Sequence, residues 1–388
     1  MNKKVLFCAT KDIHFESFHL PYFKWFKEQG YEVHTVAADD LKLPFVDRKY
    51  TIPIQRSPFK RANLTAYKQL QAIVEDNHYD IIHCHTPMGG VLARLAARKV
   101  RKGKTKVIYT AHGFHFCKGA PLINWLIYYP IEKTLARLTD CLITINEEDF
   151  QLAQSRKFKA KTIKHVHGVG VDIERFHPVD ESQKASLRAK YGFNKEDFVM
   201  FYAAEFNKNK NQQLLIRSLA SIKDEIPNCK LLLAGQGPFL EYCQKLAHEL
   251  NVSKMIKFLG FRKDIDALLK ISDVAVASSL REGLPVNIME AMACGLPVIA
   301  SNNRGHRELI IHEENGFLAH SNDNLVFSEK IIELFHSVNL RQHLGLQSEK
   351  IVQKYSIARV SAELSVIYSG FMVEDEDEPK NKYHRAYI

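Results

Sequence analysis

The chain of 388 residues has no CxxC pair and no histidine or cysteine spacing of a known metal-ligand motif. Its seven cysteines (Cys8, Cys84, Cys117, Cys141, Cys229, Cys243, Cys294) are scattered, odd in number and mostly set inside apolar, strand-like runs. A disulfide framework is therefore not expected, and reduced thiols of a cytoplasmic protein are. No run reaches the roughly 20 apolar residues of a membrane span. The basic start MNKKVLFCATKDIHF has too short an apolar run for a signal peptide. Helix-turn-helix, zinc-finger and RNA-binding aromatic motifs are missing, so no nucleic-acid partner is expected. No fixed short repeat appears, and the full dinucleotide-binding glycine fingerprint is absent.

What is present is charge of one sign in one half. Residues 1–170 carry 27 Lys/Arg against 15 Asp/Glu, whereas residues 171–388 carry 27 against 29. The excess belongs to the first half and suits an anionic partner there, such as an anionic membrane surface or a phosphorylated lipid; lysines that merely solvate exposed helices would give the same count. Strand-like and helix-like segments alternate from the first residue, with a helical pattern over 15–29, a helix begun by Asn63 as cap, and another capped by Asn146 with Asp149 three residues on. GVGVDIERFHPVDES breaks the alternation, and a second series follows. The pattern predicts an α/β protein of two Rossmann-like, doubly wound parallel-sheet domains facing across a cleft. Their expected bounds are 1–170 and 171–355, followed by a final helix over 356–372 and a disordered tail over 373–388.

The stretch DVAVASSLREGLPVNIMEAMACGLPVIAS, residues 273–301, reads as strand, loop, helix, stop and strand. Pro285 suits a first helical turn, and Gly295 with Pro297 suits the stop. Such a loop brings amides and a helix dipole to the carboxyl edge of a sheet, where α/β proteins hold phosphates. Glu282 in the loop and Glu290 in the helix add acceptors for sugar or ribose hydroxyls. Lys210, between a strand and a helix, can reach a diphosphate. Gly235 and Gly237 allow close backbone approach, or make an ordinary strand-to-helix turn. In the first half, His14, His19, His83, His85, His112 and His115 follow or lie on strands. Each can be a satisfied core histidine; His112, beside Gly113 at a carboxyl edge, is the strongest functional candidate. A metal site is the rival, unsupported by HExxH or by ligands close in sequence. Residues 116–137 read either as an interfacial helix on lipid or as a buried crossover helix.

At Glu282-Gly283-Leu284-Pro285 through Glu290 the chain resembles the retaining glycosyltransferases of family 4, whose signature is two glutamates with seven residues between them. YTAHGFHF, CLITIN, HGVGVDIERF, LLLAGQGP and KYSIARVSAELSVIY are similar to that family as well, so the resemblance runs to about residue 372. FCATKDIHFESFHLPYFKWFKEQGYEV, SPFK and HCHTPMGGVLARLAAR resemble the EpsD-type enzymes of bacterial exopolysaccharide operons. The resemblance implies a GT-B fold and a hexosyl or N-acetylhexosaminyl transfer from a UDP-sugar to a lipid-linked oligosaccharide for a biofilm matrix. It implies retention of anomeric configuration, no cofactor and no obligatory metal, at the inner face of the cell membrane. By matching positions it implies His112 and Glu282 as the catalytic pair and Glu290 on the ribose. Lys210, Arg281, the amides of Gly283 and Leu284, and the Gly235/Gly237 loop would hold the nucleotide-sugar. His14, His19, His85 and His115 are left for the acceptor side. Two departures stand out. Glu205 occupies the place of a common arginine, with Arg281 or Lys208 as substitutes, and ATKDIHFES after the first strand lacks glycine. A UDP-sugar 2-epimerase of the same architecture and a non-catalytic sugar-nucleotide-binding subunit of a synthase complex are the alternatives.

Overall fold

The computed structural model describes residues 3–320 and 322–372; the tail expected over 373–388 lies outside the described residues. The first half builds strands β1 (Lys4–Cys8), β2 (Glu32–Ala37), β3 (Arg48–Thr51), β4 (Ile81–His85), β5 (Lys106–Ala111), β6 (Cys141–Thr144) and β7 (Thr162–His165). Between them run helices α1 (Asp12–Phe18), α2 (Leu20–Glu28), α3 (Ala62–Asn77), α4 (Pro87–Ala96), α5 (Leu122–Leu135) and α6 (Glu147–Ser155). The second half, entered through α7 (Glu181–Tyr191), has β8 (Phe198–Ala203), β9 (Cys229–Ala234), β10 (Ile256–Gly260), β11 (Val274–Ala277), β12 (Val298–Ser301) and β13 (Gly316–Ala319). Its helices are α8 (Gln212–Ile222), α9 (Leu240–Glu249), α10 (Ile265–Lys270), α11 (Val286–Ala293), α12 (Arg304–Leu309), α13 (Asn324–His336), α14 (Val338–Val352) and α15 (Ile357–Met372).

Strand order is β3-β2-β1-β4-β5-β6-β7 in one sheet and β10-β9-β8-β11-β12-β13 in the other. Adjacent strands run parallel, as with Leu6 opposite Ile82 and Ala275 opposite Phe201. Both sheets are doubly wound, as expected, because their central strands are apolar on both faces and helices cover both. The order reverses between β1 and β4 and again between β8 and β11. At such a reversal two neighbouring loops diverge and open a crevice at the carboxyl edge. The segment after β1 and the end of β4 carry His14, His19 and His85; the loops after β8 and β11 carry Lys210 and Glu282.

Local chemistry sets the ends. Asp180 and Gln183 close a capping box on α7, and Gly192 ends it in the left-handed region. Asn146 caps α6 through the Asp149 amide, as expected. Two local expectations are corrected, and one strand was not expected. Asn63 is no cap: it is buried, accepts from the Gln55 amide and donates to the Ser57 carbonyl, so it pins the preceding loop. The helix expected over 15–29 is broken at His19, since Pro21 lies in the first turn of a new helix and has no amide to continue the old one. The edge strand β3, polar and four residues long, carries too little apolar signal to be read from sequence.

The last helix returns to the first sheet. Val360, Leu364 and Tyr368 of α15 are buried with Phe7, Phe23 and Phe26. The Tyr368 hydroxyl lies 2.8 Å from His83 Nδ1, while His83 Nε2 meets Thr110 Oγ1 at 2.8 Å. All seven cysteines are buried and free.

Candidate active site

The loop after β11 and the loop after β8 meet at one charge pair. Lys210 Nζ lies 2.5 Å from Glu282 Oε1, both side chains being largely buried. The Lys210 carbonyl accepts from Ser278 Oγ at 2.8 Å, and Asn209 Nδ2 donates to the Arg281 carbonyl at 2.9 Å, so the two loops form one platform. Arg281 itself is exposed at its rim. Pro285 takes the N-cap position of α11 rather than its first turn, and Leu284 is buried against the backbone of Gly168. Glu290 is half-buried one to two turns into α11. Burial pushes its carboxyl up to about 7, with Asp266 adding to the effect and Arg175 opposing it.

Gly235 and Gly237 have positive φ (145° and 148°), and a Cβ on either would fall on the carbonyl of Ala204 or Phe206. Their freedom is thus used where the loop after β9 crosses the loop after β8, which holds Lys210 in place. Glu205 is exposed and accepts from Asn207 Nδ2 at 3.1 Å. Lys208 points over the Phe239 ring, 5.9 Å away.

Opposite this platform stands His112. A Cβ built on Gly283 would lie 2.3 Å from the His112 carbonyl oxygen, and one on Gly113 would lie 2.9 Å from the Gly283 Cα. The backbones of the two halves therefore touch at Gly113 and Gly283, which sets His112 beside the Glu282 loop. Arg304, at the first turn of α12, fastens the contact. It donates to the Glu282 carbonyl at 3.1 Å and the Phe114 carbonyl at 2.7 Å, and pairs with Asp149. Asp149 also receives the Phe114 amide at 2.8 Å; burial raises its carboxyl, and Arg304 opposes that rise. Sequence reasoning missed Arg304 and Asp149 as partners. The available signal was an arginine opening the helix after PVIAS, at the same carboxyl edge as Glu282.

The acceptor-side histidines divide. His14, His112 and His115 line a cavity of about 840 Å³ built wholly by the first half. Ile13, Phe18, Phe59, Met88, Phe114 and Tyr128 make much of its wall, and Glu132 forms part of its floor. His19 and His85 do not line that cavity; they lie behind His112 around a void of about 20 Å³. Burial lowers every one of these rings, His14 to about 4 and His83 to about 3, while neighbouring imidazoles push His19, His85 and His112 further down. The rings are neutral at pH 7, so His112 offers a hydrogen bond rather than a cation. The fold also supplies the ligand triad that sequence spacing did not show. His14, His19 and His85 converge although 66 residues separate the last two.

The helix α5 fits neither reading of residues 116–137 alone. Trp125, Tyr128 and Tyr129 pack on the first core, while Leu122 (80% exposed) and Leu126 (73%) face outward. Among the described residues no helix is long and apolar enough to cross a membrane.

Residues 4–146 match the family described as glycosyl transferase 4-like, and residues 183–351 match glycosyl transferases group 1. The chain is a glycosyltransferase of this family. It is 51% identical over 378 residues to EpsD of Bacillus subtilis (strain 168), named there as a glycosyltransferase, covering 97% of this chain and 99% of the relative. It is 30% identical over 308 residues to the UDP-Gal:alpha-D-GlcNAc-diphosphoundecaprenol alpha-1,3-galactosyltransferase of Escherichia coli, covering 78% and 79%. Among solved structures, Anabaena HepE in complex with UDP-glucose superposes with a TM-score of 0.77 at 20% identity, covering 95% of this chain and 99% of that one. Sucrose-phosphate synthase from Thermosynechococcus elongatus gives 0.77 at 19% identity, covering 95% and 99%. The fold of this glycosyltransferase is thus GT-B, as the sequence implied.

Proposed function

We propose that the enzyme moves a hexose or N-acetylhexosamine from a UDP-sugar to a lipid-linked oligosaccharide, with retention, in exopolysaccharide synthesis on the inner face of the membrane. The observation that carries this reading is the Lys210–Glu282 pair facing His112 across the Gly113–Gly283 contact. In this reading Glu290 accepts the ribose hydroxyls and Lys210, with amides of the 283–287 loop, takes the diphosphate. Glu282 and the neutral His112 hold hydroxyls of the donor sugar. Diphosphate and Glu282 compete for one ammonium, so donor binding frees the Glu282 carboxylate for the sugar. Charge developing on the leaving diphosphate is met by Lys210 and the α11 amides, and no metal takes part in the transfer.

The relatives support the donor and acceptor classes. HepE was solved with UDP-glucose, and the E. coli relative's name gives UDP-Gal and a diphosphoundecaprenol-linked sugar. The apolar, aromatic cavity beside His112 suits an acceptor carrying lipid, and the basic first half suits an anionic membrane surface. A UDP-release assay across a set of UDP-sugars, with membrane-extracted acceptor, tests the reading. Acceptor-dependent UDP release from one of them is expected, with NMR showing the donor's anomeric configuration kept in the product. Turnover with GDP-sugars alone, or an inverted product, would overturn it.

A further inference from the structure

Behind His112, three imidazoles from separate segments point at one place. His14 comes from α1, His19 from the break between α1 and α2, and His85 from the end of β4; one nitrogen of each lies within 4.8 Å of the other two. His19 Nε2 is 3.3 Å from His85 Nδ1, which is in turn 3.3 Å from His112 Nε2. Nitrogens bound to one tetrahedral zinc at about 2.0–2.1 Å are themselves about 3.3 Å apart.

Hydrogen bonding alone does not account for the cluster. His19 Nδ1 lies 3.2 Å from the His14 carbonyl, and a carbonyl only accepts, so Nδ1 carries the proton. The other nitrogen of the neutral ring, Nε2, then presents a lone pair to His85. Metal-ligating histidines are held in this way, with the outer N–H on a backbone carbonyl and the inner nitrogen aimed at the ion. His14 Nε2 and His85 Nε2 are buried without a hydrogen-bond partner. Unsatisfied groups this deep are uncommon in folded proteins. His83, by contrast, has both nitrogens engaged, by Tyr368 and Thr110, and stays outside the set.

We propose that His14, His19 and His85 bind one divalent first-row transition ion of the imidazole-preferring kind, with zinc as the type, the fourth position lying toward His112. The ion would tie α1, the α1–α2 break and β4 together and so fix the cavity wall that His14 lines. It takes no step in the transfer proposed above, and the two readings fail independently.

The test uses the untagged full chain stripped with a chelator and titrated with Co²⁺, followed by visible spectroscopy, then with Zn²⁺ as competitor. One equivalent of Co²⁺ with the strong visible bands of tetrahedral coordination is expected, displaced by Zn²⁺. His14→Ala and His19→Ala should each weaken binding by roughly tenfold or more, while His343→Ala, on an exposed helix face, binds as the parent does. His14→Asn, at the half-buried end of the cluster, keeps a polar side chain and should also lose affinity with an unchanged circular dichroism spectrum. A stripped chain that takes up Co²⁺ only with the weak bands of octahedral surface sites, or variants that bind as tightly as the parent, would overturn the proposal.

Discussion

Glu290 and Glu282 share a loop and helix yet sit in different surroundings. Glu282 is neutralised by Lys210, whereas Glu290 has its carboxyl raised by burial. A raised carboxylate contributes stability below its ordinary value, and that contribution is lost as pH climbs through about 7. The ionised carboxylate accepts ribose hydroxyls at both oxygens and more strongly than the acid, so the sign for ligand runs the other way: UDP affinity should rise with pH. From pH 6 to 7.5 the ionised fraction grows roughly eightfold for a group titrating near 7, and calorimetry should show UDP affinity following it. Glu290→Gln should remove the dependence; a flat profile in the parent would contradict the role. The spacing of the two glutamates was legible because both lie in one short segment. Arg304 and Asp149 were not, because a pair 155 residues apart has no local pattern. Gly235 and Gly237 were read as ligand-facing, while the backbone crossing they permit emerges only in three dimensions.

At the scale of elements, α15 and α5 show what periodicity does and does not reveal. The final helix was expected over 356–372, and its partner is the first sheet. Tyr368 adds a polar contact to that packing, to His83. Tyr368→Phe leaves the buried His83 Nδ1 unpaired and should cost about 1–3 kcal/mol, read from urea denaturation; no loss would mean that the contact is dispensable. The helix α5 looked uniformly apolar, and no one-dimensional pattern told its packed aromatic side from its exposed leucines. Leu122→Ser with Leu126→Ser should change stability by no more than about 0.5 kcal/mol, as exposed positions do. The same pair should reduce binding to anionic vesicles; unchanged vesicle binding would remove α5 from the membrane face. The α1–α2 break was hidden for a different reason, since Pro21 and His19 sit within a continuous apolar face that masks the interruption.

At the scale of the molecule, both sheets and their parallel winding were readable because most strands are buried, apolar runs that alternate with helices. The seam between the halves was not, since contacts such as the backbone approach of Gly113 to Gly283 and the buried Arg304–Asp149 pair join residues far apart in the chain. Arg304→Ala strips Asp149 of its cation and should destabilise the protein by about 3–5 kcal/mol in chemical denaturation, the usual cost of breaking a buried pair from one side. A change under about 1 kcal/mol would show that the seam does not depend on it. In the proposed mode the second half holds the nucleotide through Glu290 while Glu282 serves the sugar. Titration calorimetry with UDP on Glu290→Ala and Glu282→Ala tests it most directly. Glu290→Ala should lose at least tenfold in UDP affinity, about 1.4 kcal/mol, and Glu282→Ala should keep near-parent affinity with reduced turnover; parent-like UDP affinity in Glu290→Ala would refute the assignment.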